Sequence, residues 1–375
     1  MSLITNVSVL ILGGGLQGLS VAHSLCRLGH KVYVYSGESV FKHCKFIVEC
    51  VDFERTIDDL VVYVNANKIS LIVPMSDILA GWLSENQGVI QSRTSARCAV
   101  SDYAVFQRAS SKSMLMDLCR ENGIPIPRTV RITDGNLEAV CALVGFPALI
   151  KPDHSVGARG ITRVNDSEEF RYRYPAISAK YGSCSLQEFV DNPDFYYNVM
   201  LYRYEDGSYA QDVITKIFRF YPLSGGSSCC CVTIELPELS EICKKTLDLL
   251  EWEGFADFDV LYDIRELQYK IIEINPRVPA SLRAAAVSGV DFPQIMVCDK
   301  LGWPKPVMKY QTGVYLRYLG LDTMWFLKSN KRFSSSPSWF EFFGNDLFYQ
   351  DLYSEDFRMS VYSIFEGIKK LFKNR

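Results

Sequence analysis

Apolar and polar positions divide the chain into repeated strand, turn and helix units. Val7 to Leu12 is an apolar run, followed by Gly13-Gly14-Gly15-Leu16-Gln17-Gly18, an amphipathic stretch to Leu28, Gly29 and a strand from Lys31 to Tyr35. Helical spacing around Asp58 to Asn67 leads into the strand Ser70 to Pro74. This pattern predicts parallel strands joined by crossover helices, and a first domain over residues 1–98. Residues 2–26 carry no charge, yet no basic residue precedes them and glycines interrupt them, so a buried strand and helix explain them better than a signal or anchor.

The pattern then changes. Ser111 to Asn122 reads as a helix closed by Gly123, with Pro125 and Pro127 enforcing the stop. The strand Ala148 to Lys151 runs into a glycine-containing flap, Pro152 to Gly160, and Ile161 to Val164 is again strand-like. Segments 184–190, 195–204, 208–220 and 228–235 carry β-formers, a helix is expected near Glu238 to Leu250, and a hairpin over 255–275. An antiparallel second sheet follows, and the whole is α/β in its first part and α+β beyond it.

Composition narrows the function. Forty basic and forty-three acidic residues leave a net charge of -3, which gives no electrostatic reason to bind nucleic acid. Twelve cysteines are scattered without a CxxC pair and read as reduced thiols of a cytoplasmic protein. Four histidines lack the spacing of a zinc or di-iron site, and no Ser/His/Asp or Cys/His constellation stands out.

Three features could carry chemistry. Gly13, Gly15 and Gly18 fit GxGxxG between a strand and a helix, where backbone amides can hold a pyrophosphate. An NAD-dependent oxidoreductase would place an acid at the end of the second strand, where Tyr35-Ser36-Gly37 stands instead; the glycines could equally serve close helix packing. In the hairpin, alternation puts Asp257, Asp259 and Leu261 on one face, and Ile271, Glu273 and Asn275 on one face of the returning strand. A turn centred on Glu266 opposes Asp259 to Glu273 and Asp257 to Asn275. Carboxylates so opposed lie about 5 Å apart at Cβ and repel unless a proton or cation intervenes, which suits Mg²⁺ or Mn²⁺. A slipped or bulged register would instead leave a solvated acidic face. Finally, Lys151 ends a strand beside the flap, and Lys112 lies in the first turn of its helix, where an anionic ligand would offset the macrodipole.

Together these residues resemble the ATP-grasp superfamily, specifically its carboxylate–amine ligases related to the carbamoyl-phosphate synthase large subunit. The resemblance covers roughly residues 7–305. It rests on Gly13 to Gly18; Ser111-Lys112 followed by Asn122 to Thr129; Ile150-Lys151-Pro152 with Ser155 to Gly160; Leu186 to Val190; and Asp257-Phe258-Asp259 with Ile272 to Arg277. It implies a Rossmann-like preATP-grasp domain (1–98), a small ATP-grasp subdomain with the flap (99–186), a large subdomain (187–305) and an aromatic-rich extension (306–375).

The resemblance further implies that Lys112 and Lys151 contact ATP phosphates, that Ser155, Gly157 and Gly160 cover them, and that Gln187, Glu188, Phe189 and Val190 form the adenine hinge. Asp194 would take the ribose, since Tyr197 or Asn198 replaces the usual acid after the hinge. Asp259, Glu273 and Asn275 would hold Mg²⁺ or Mn²⁺, and Arg277 and Lys151 would be catalytic, Arg277 facing the reacting phosphoryl group or the substrate carboxylate. Arg219, Asp257 and Arg283 are candidates for the substrate, with Arg219 otherwise a solvated strand residue. The expected reaction is ADP-forming ligation of a small-molecule carboxylate to an amine through an acyl phosphate. A non-catalytic ATP-binding protein is the other alternative to the oxidoreductase. The last helix, with Val361, Ile364, Phe365, Ile368, Leu371 and Phe372 on one side and Lys369, Lys370, Lys373 and Arg375 nearby, would dock on its own protein, on a second subunit of a homodimer or on an anionic membrane.

Overall fold

A computed structural model describes residues 6–52, 56–133, 135–153, 160–192, 194–223 and 225–364. The first unit contains β1 (Ser8–Leu12), α1 (Gly15–Arg27), β2 (Lys31–Tyr35), β3 (Glu49–Val51), α2 (Ile57–Ala66), β4 (Ile69–Pro74), α3 (Asp77–Arg93) and β5 (Arg97–Cys98). Its strands pair in parallel in the order β3-β2-β1-β4-β5. The period-two alternation of β1 sends Leu10 and Leu12 into one core and Val9 and Ile11 into another, so both faces are covered. Side-chain caps set the helix starts: Thr56 accepts from the Asp59 amide and Ser76 from that of Leu79.

Next come α4 (Tyr103–Ser110), α5 (Lys112–Glu121), β6 (Thr129–Arg131), α6 (Leu137–Val144), β7 (Ala148–Pro152), β8 (Thr162–Val164), α7 (Ser167–Tyr181) and β9 (Cys184–Glu188). Ser111 caps α5 through the Met114 amide, which fixes Lys112 as the first helical residue. The strands form an antiparallel sheet in the order β6-β9-β7-β8. Ala148, Ile150, Cys184 and Leu186 pack on α6 and α7 through Val140, Val144 and Phe170, which leaves Leu149, Lys151, Ser185 and Gln187 for the opposite face.

The remaining elements are β10 (Tyr196–Arg203), β11 (Val213–Tyr221), β12 (Ser227–Ile234), α8 (Pro237–Leu250), β13 (Gly254–Asp263), β14 (Gln268–Asn275), α9 (Leu282–Val287), α10 (Phe292–Lys300), β15 (Tyr315–Arg317), α11 (Leu319–Lys328) and β16 (Leu347–Tyr349). They build a sheet in the order β14-β13-β10-β11-β12-β15-β16, antiparallel except for the last pair. The aromatic-rich extension thus supplies two strands of this sheet. One core joins Leu60, Leu79 and Leu83 to Val199, Phe258, Val260 and Ile274, and a second joins α1 to α9, α10, Met200 and Phe255. The parallel and large sheets share their buried apolar surface, so the expected α/β class with an antiparallel second sheet holds.

One expectation about the hairpin needs correcting. Asp257 opposes Asn275 and Asp259 opposes Glu273 as expected, but the register shifts at the next step, where Val260 opposes Ile271. Ile272 is therefore the extra residue of a bulge. The bulge turns Ile271 away from the acidic face and into the core beside Ile274 and Phe258. The two acid-bearing pairs lie on the side of the shift toward the strand ends at Asp257 and Asn275. No helix among the described residues is long and apolar enough to cross a membrane. The apolar side expected for the last helix falls mostly on residues 365–375, outside the described residues.

Candidate active site

The carboxyl ends of β1, β2 and β4 meet where the strand order reverses, the position at which open parallel sheets offer a crevice. Gly13 and Gly15 have φ of 102° and 80°, which a side chain disfavours. The Gly15 amide donates to Glu38 Oε2 at 2.9 Å, and a Cβ on Gly14 would sit 2.6 Å from Ser36 Oγ. The amide available to a pyrophosphate is thus taken by the chain's own carboxylate. This argues against a dinucleotide in the glycine turn and disfavours the oxidoreductase alternative.

Beyond this crevice lies the acidic end of the hairpin. Asp257 is 1% exposed; Asn275 Nδ2 donates to its Oδ2 at 3.3 Å, while its Oδ1 has no hydrogen-bond partner. Burial pushes its carboxyl up to about 8, against the pull of Arg277. Asp259 keeps an edge on the crevice and receives a hydrogen bond from Asn198, its ladder partner on β10. Burial first, then the charges of Glu273 and Asp257, raise its carboxyl well above the usual range. Glu273 is also desolvated, but Lys112, the bond with Asp259, Lys151 and Arg277 hold it below the usual range. Burial and mutual repulsion thus push both aspartates toward their neutral forms, while Glu273 is held toward its ionised one.

Cations face this charge from other elements. Lys112 Nζ is 3.5 Å from Glu273 Oε2, so the α5 start capped by Ser111 aims its lysine at the ribbon. Lys151, 7% exposed on the outward face of β7, is pushed down to about 8 by burial, with Glu273 opposing the shift and Lys112 adding to it. Arg277 Nε meets Asp77 Oδ1 at 3.1 Å and its Nη2 meets Asn275 Oδ1 at 3.3 Å. Asp77 opens α3 directly after β4, so this ion pair ties the acidic ribbon to the parallel sheet.

Other anticipated residues are placed differently. Gln187 is buried and its Nε2 donates to Thr129 Oγ1 at 2.8 Å. The Glu188 and Phe189 amides donate to Arg128 and Pro147 carbonyls, and the Val190 carbonyl accepts from Asn192. The Glu188 carboxylate turns instead to Arg128 and to Lys270, whose Nζ lies 2.6 Å away. Asp194 forms an exposed ion pair with Lys331. Arg219 is 1% exposed, with Asp322 Oδ1 2.6 Å from its Nε, which corrects the alternative of a solvated strand residue. Gly160 has φ of 78°, and a Cβ there would meet the Tyr181 ring at 2.8 Å. Ser155 and Gly157 lie outside the described residues.

Two further points concern metal. Glu188, Asp263 and Glu266 bring carboxylate oxygens within 4.8 Å of one another, but Lys270 Nζ contacts all three and so occupies the place a cation would take. Asp257, Asp259 and Glu273 are spread more widely, as ladder partners and next-but-one neighbours on a sheet must be. They suit an oxygen-liganded divalent cation: the Asp257 oxygen lacks a partner, and Asp257 and Asp259 are both pushed above the usual carboxylate range. Asn198 and Glu38 were missed as members of the site, Asn198 because its role depends on a strand pairing over 61 residues.

No family model matches the chain. It is 25% identical over 273 residues to the D-aspartate ligase of Enterococcus faecium, covering 67% of this chain and 63% of that protein. It is 26% identical over 200 residues to a D-alanine–D-alanine ligase of Pseudomonas entomophila, covering 47% of this chain and 58% of that protein. The chain thus spans about three-fifths of the length of these curated relatives. Among solved structures it is similar to the biotin carboxylase domain of Hydrogenobacter thermophilus 2-oxoglutarate carboxylase, in complex with MgADP, ADP and bicarbonate; the TM-score is 0.68 at 15% identity, over 82% of this chain and 73% of that one. The ADP complex of Staphylococcus aureus N5-carboxyaminoimidazole synthetase gives 0.66 at 12% identity, over 81% and 80%. The fold is that of the ATP-grasp superfamily. In sequence the chain is related to carboxylate–amine ligases of that superfamily.

Proposed function

We propose that this chain is an ATP-dependent, ADP-forming ligase that joins a carboxylate to an amine. The observation that carries the reading is the juxtaposition of Asp257, Asp259 and Glu273 with Lys112, Lys151 and Arg277, which leaves a buried carboxylate oxygen without a partner. Asp259, Glu273 and Asn275 would hold Mg²⁺ or Mn²⁺, with Asp257 beside them. The bound cation supplies neutralisation of triphosphate charge.

In this reading Lys112 and Lys151 place positive charge along the phosphates, and Arg277, steadied by Asp77, faces the transferred phosphoryl group. A substrate carboxylate oxygen bonds to the γ-phosphorus as the bond to ADP breaks. The amine nitrogen then attacks the acyl carbon of the resulting acyl phosphate, phosphate leaves, and the amine gives up a proton. Positioning and charge cancellation carry both steps, so no protein nucleophile is required. The relatives named as D-aspartate and D-alanine–D-alanine ligases support this chemistry, and we place the enzyme in the cytoplasm, where its twelve free thiols stay reduced.

A phosphate-release screen over carboxylates and amines with ATP and Mg²⁺, and hydroxylamine added to trap acyl phosphate, tests the proposal. ADP and a hydroxamate are expected in at least one combination. ATP binding without ADP release under every combination would favour the non-catalytic reading.

A further inference from the structure

The segment after β16 inserts between α1 and the loop that follows the acidic ribbon. Gln350 Nε2 donates to the Ala280 carbonyl in that loop, and Tyr353 Oη lies 3.2 Å from Ser20 Oγ on α1. Between these anchors sits Asp351, 1% exposed, whose carboxylate meets its own backbone amide but no other residue's donor. An isolated buried carboxylate is among the costliest groups a fold can carry. Across from it is Arg283 in α9, whose guanidinium lies 3.7 Å over the Tyr353 ring and whose buried Nη1 also lacks a partner. Arg283 exerts its field on Asp351, yet the two groups do not close into an ion pair. A third unpartnered atom, Gln350 Oε1, lies on the same segment.

A buried anion and a cation held by Tyr353 with one nitrogen still unpartnered, which fail to meet, suit an intervening molecule carrying both opposite charges. The Asp351 oxygens can accept from an ammonium, and Arg283 Nη1 offers a donor suited to a carboxylate. The place is apt: Arg283 lies six residues after Arg277, and Tyr318 feels the charges of both Asp351 and the glycine-turn acid Glu38. We propose that Asp351 and Arg283 are specificity residues for an amino-acid substrate, Asp351 receiving its ammonium end and Arg283 its carboxylate end. This rests on the ligase reading and extends it: the segment beyond the stretch resembling ATP-grasp ligases selects the substrate.

The test uses the full chain with a non-hydrolysable ATP analogue and Mg²⁺, titrated calorimetrically with each standard amino acid in both enantiomers, its deamino acid and its amide. At least one amino acid should bind the parent, and Asp351→Asn should bind it at least about 10-fold more weakly, a charge-assisted hydrogen bond being lost. The deamino acid should bind parent and variant equally. Arg283→Lys should weaken the amino acid while leaving the amide unaffected. Without ligand, Asp351→Asn should melt roughly 2 °C above the parent at pH 7.5, because it removes an unpaired charge and keeps the shape. Equal affinity of parent and Asp351→Asn for the amino acid, or nucleotide binding with no amino acid bound by the parent, overturns the proposal and leaves the ligase reading standing. Amino-acid discrimination by a chain that does not bind ATP overturns the ligase reading and keeps the substrate assignment.

Discussion

Two buried charge clusters, one in the extension and one on the acidic ribbon, have opposite degrees of completion. In the extension, Asp322 is fully buried between Arg219 and Arg317. Arg219 Nη1 donates to the Pro337 carbonyl at 2.8 Å, and Arg317 Nη2 to that of Trp339 at 3.0 Å. The two guanidiniums share one carboxylate and spend their other donors on backbone carbonyls, so the cluster fastens β11, β15 and α11 together. On the ribbon, Asp257 Oδ1 has no partner, Lys151 is pushed down to about 8 and Asp259 is forced toward its neutral form. A satisfied cluster holds a fold together; an unsatisfied one awaits something the chain does not supply.

The largest effect separating the two should come from Glu273→Gln. It removes a proposed cation ligand, so ADP formation measured by a coupled assay should fall by about 1000-fold or more, several kcal/mol of charge stabilisation being lost. The melting temperature should change little, since relief of the repulsion on Asp259 offsets the lost pairing with Lys112 and Lys151. Wild-type turnover would place the metal elsewhere. The opposite pattern is expected of Asp322→Ala, which leaves two guanidinium groups buried and unpaired and should cost roughly 3–5 kcal/mol in denaturant unfolding. Turnover per folded molecule should change little. A stable variant would show that the extension is not fastened through this aspartate.

Lys151→Ala probes the ribbon from the cation side. Loss of a charged contact to phosphate is worth about 1.5–3 kcal/mol, so the KM for ATP should rise about 10- to 100-fold. An unchanged KM for ATP would count against phosphate contact.

Much of the ribbon was legible in the sequence because its logic is local. Alternation and one turn fix which residues of a hairpin face each other, and Asp259 opposes Glu273 as read. The bulge at Ile272 was not legible, since a single extra residue leaves no mark on composition. Ser111, Asn122 and Gly123 announced α5 and hence the position of Lys112. The pairing of Arg219 was not legible because its partner Asp322 is 103 residues away on a helix outside the stretch that resembles known ligases. Asp351 went unnoticed for a related reason. An acid in an aromatic-rich tail looks solvated until the fold buries it.

Asp351 places part of the extension on the unsatisfied side of the comparison, and pH can show this without any ligand. Burial raises its carboxyl from 3.8 to about 6, with its own backbone amide and then Arg283 pulling the other way. The folded chain therefore holds a proton on Asp351 between those limits that the unfolded chain has released. That contribution to stability is complete below pH 4 and is lost as pH rises through 6, by about 1–3 kcal/mol. Other carboxyls titrate in the same window, so the useful quantity is the difference between the parent and Asp351→Asn. The two should unfold alike near pH 4, and the variant should become progressively more stable up to about pH 7. A difference that does not change with pH would mean that Asp351 is already paired in the folded chain, and the extension would then be a fastening alone.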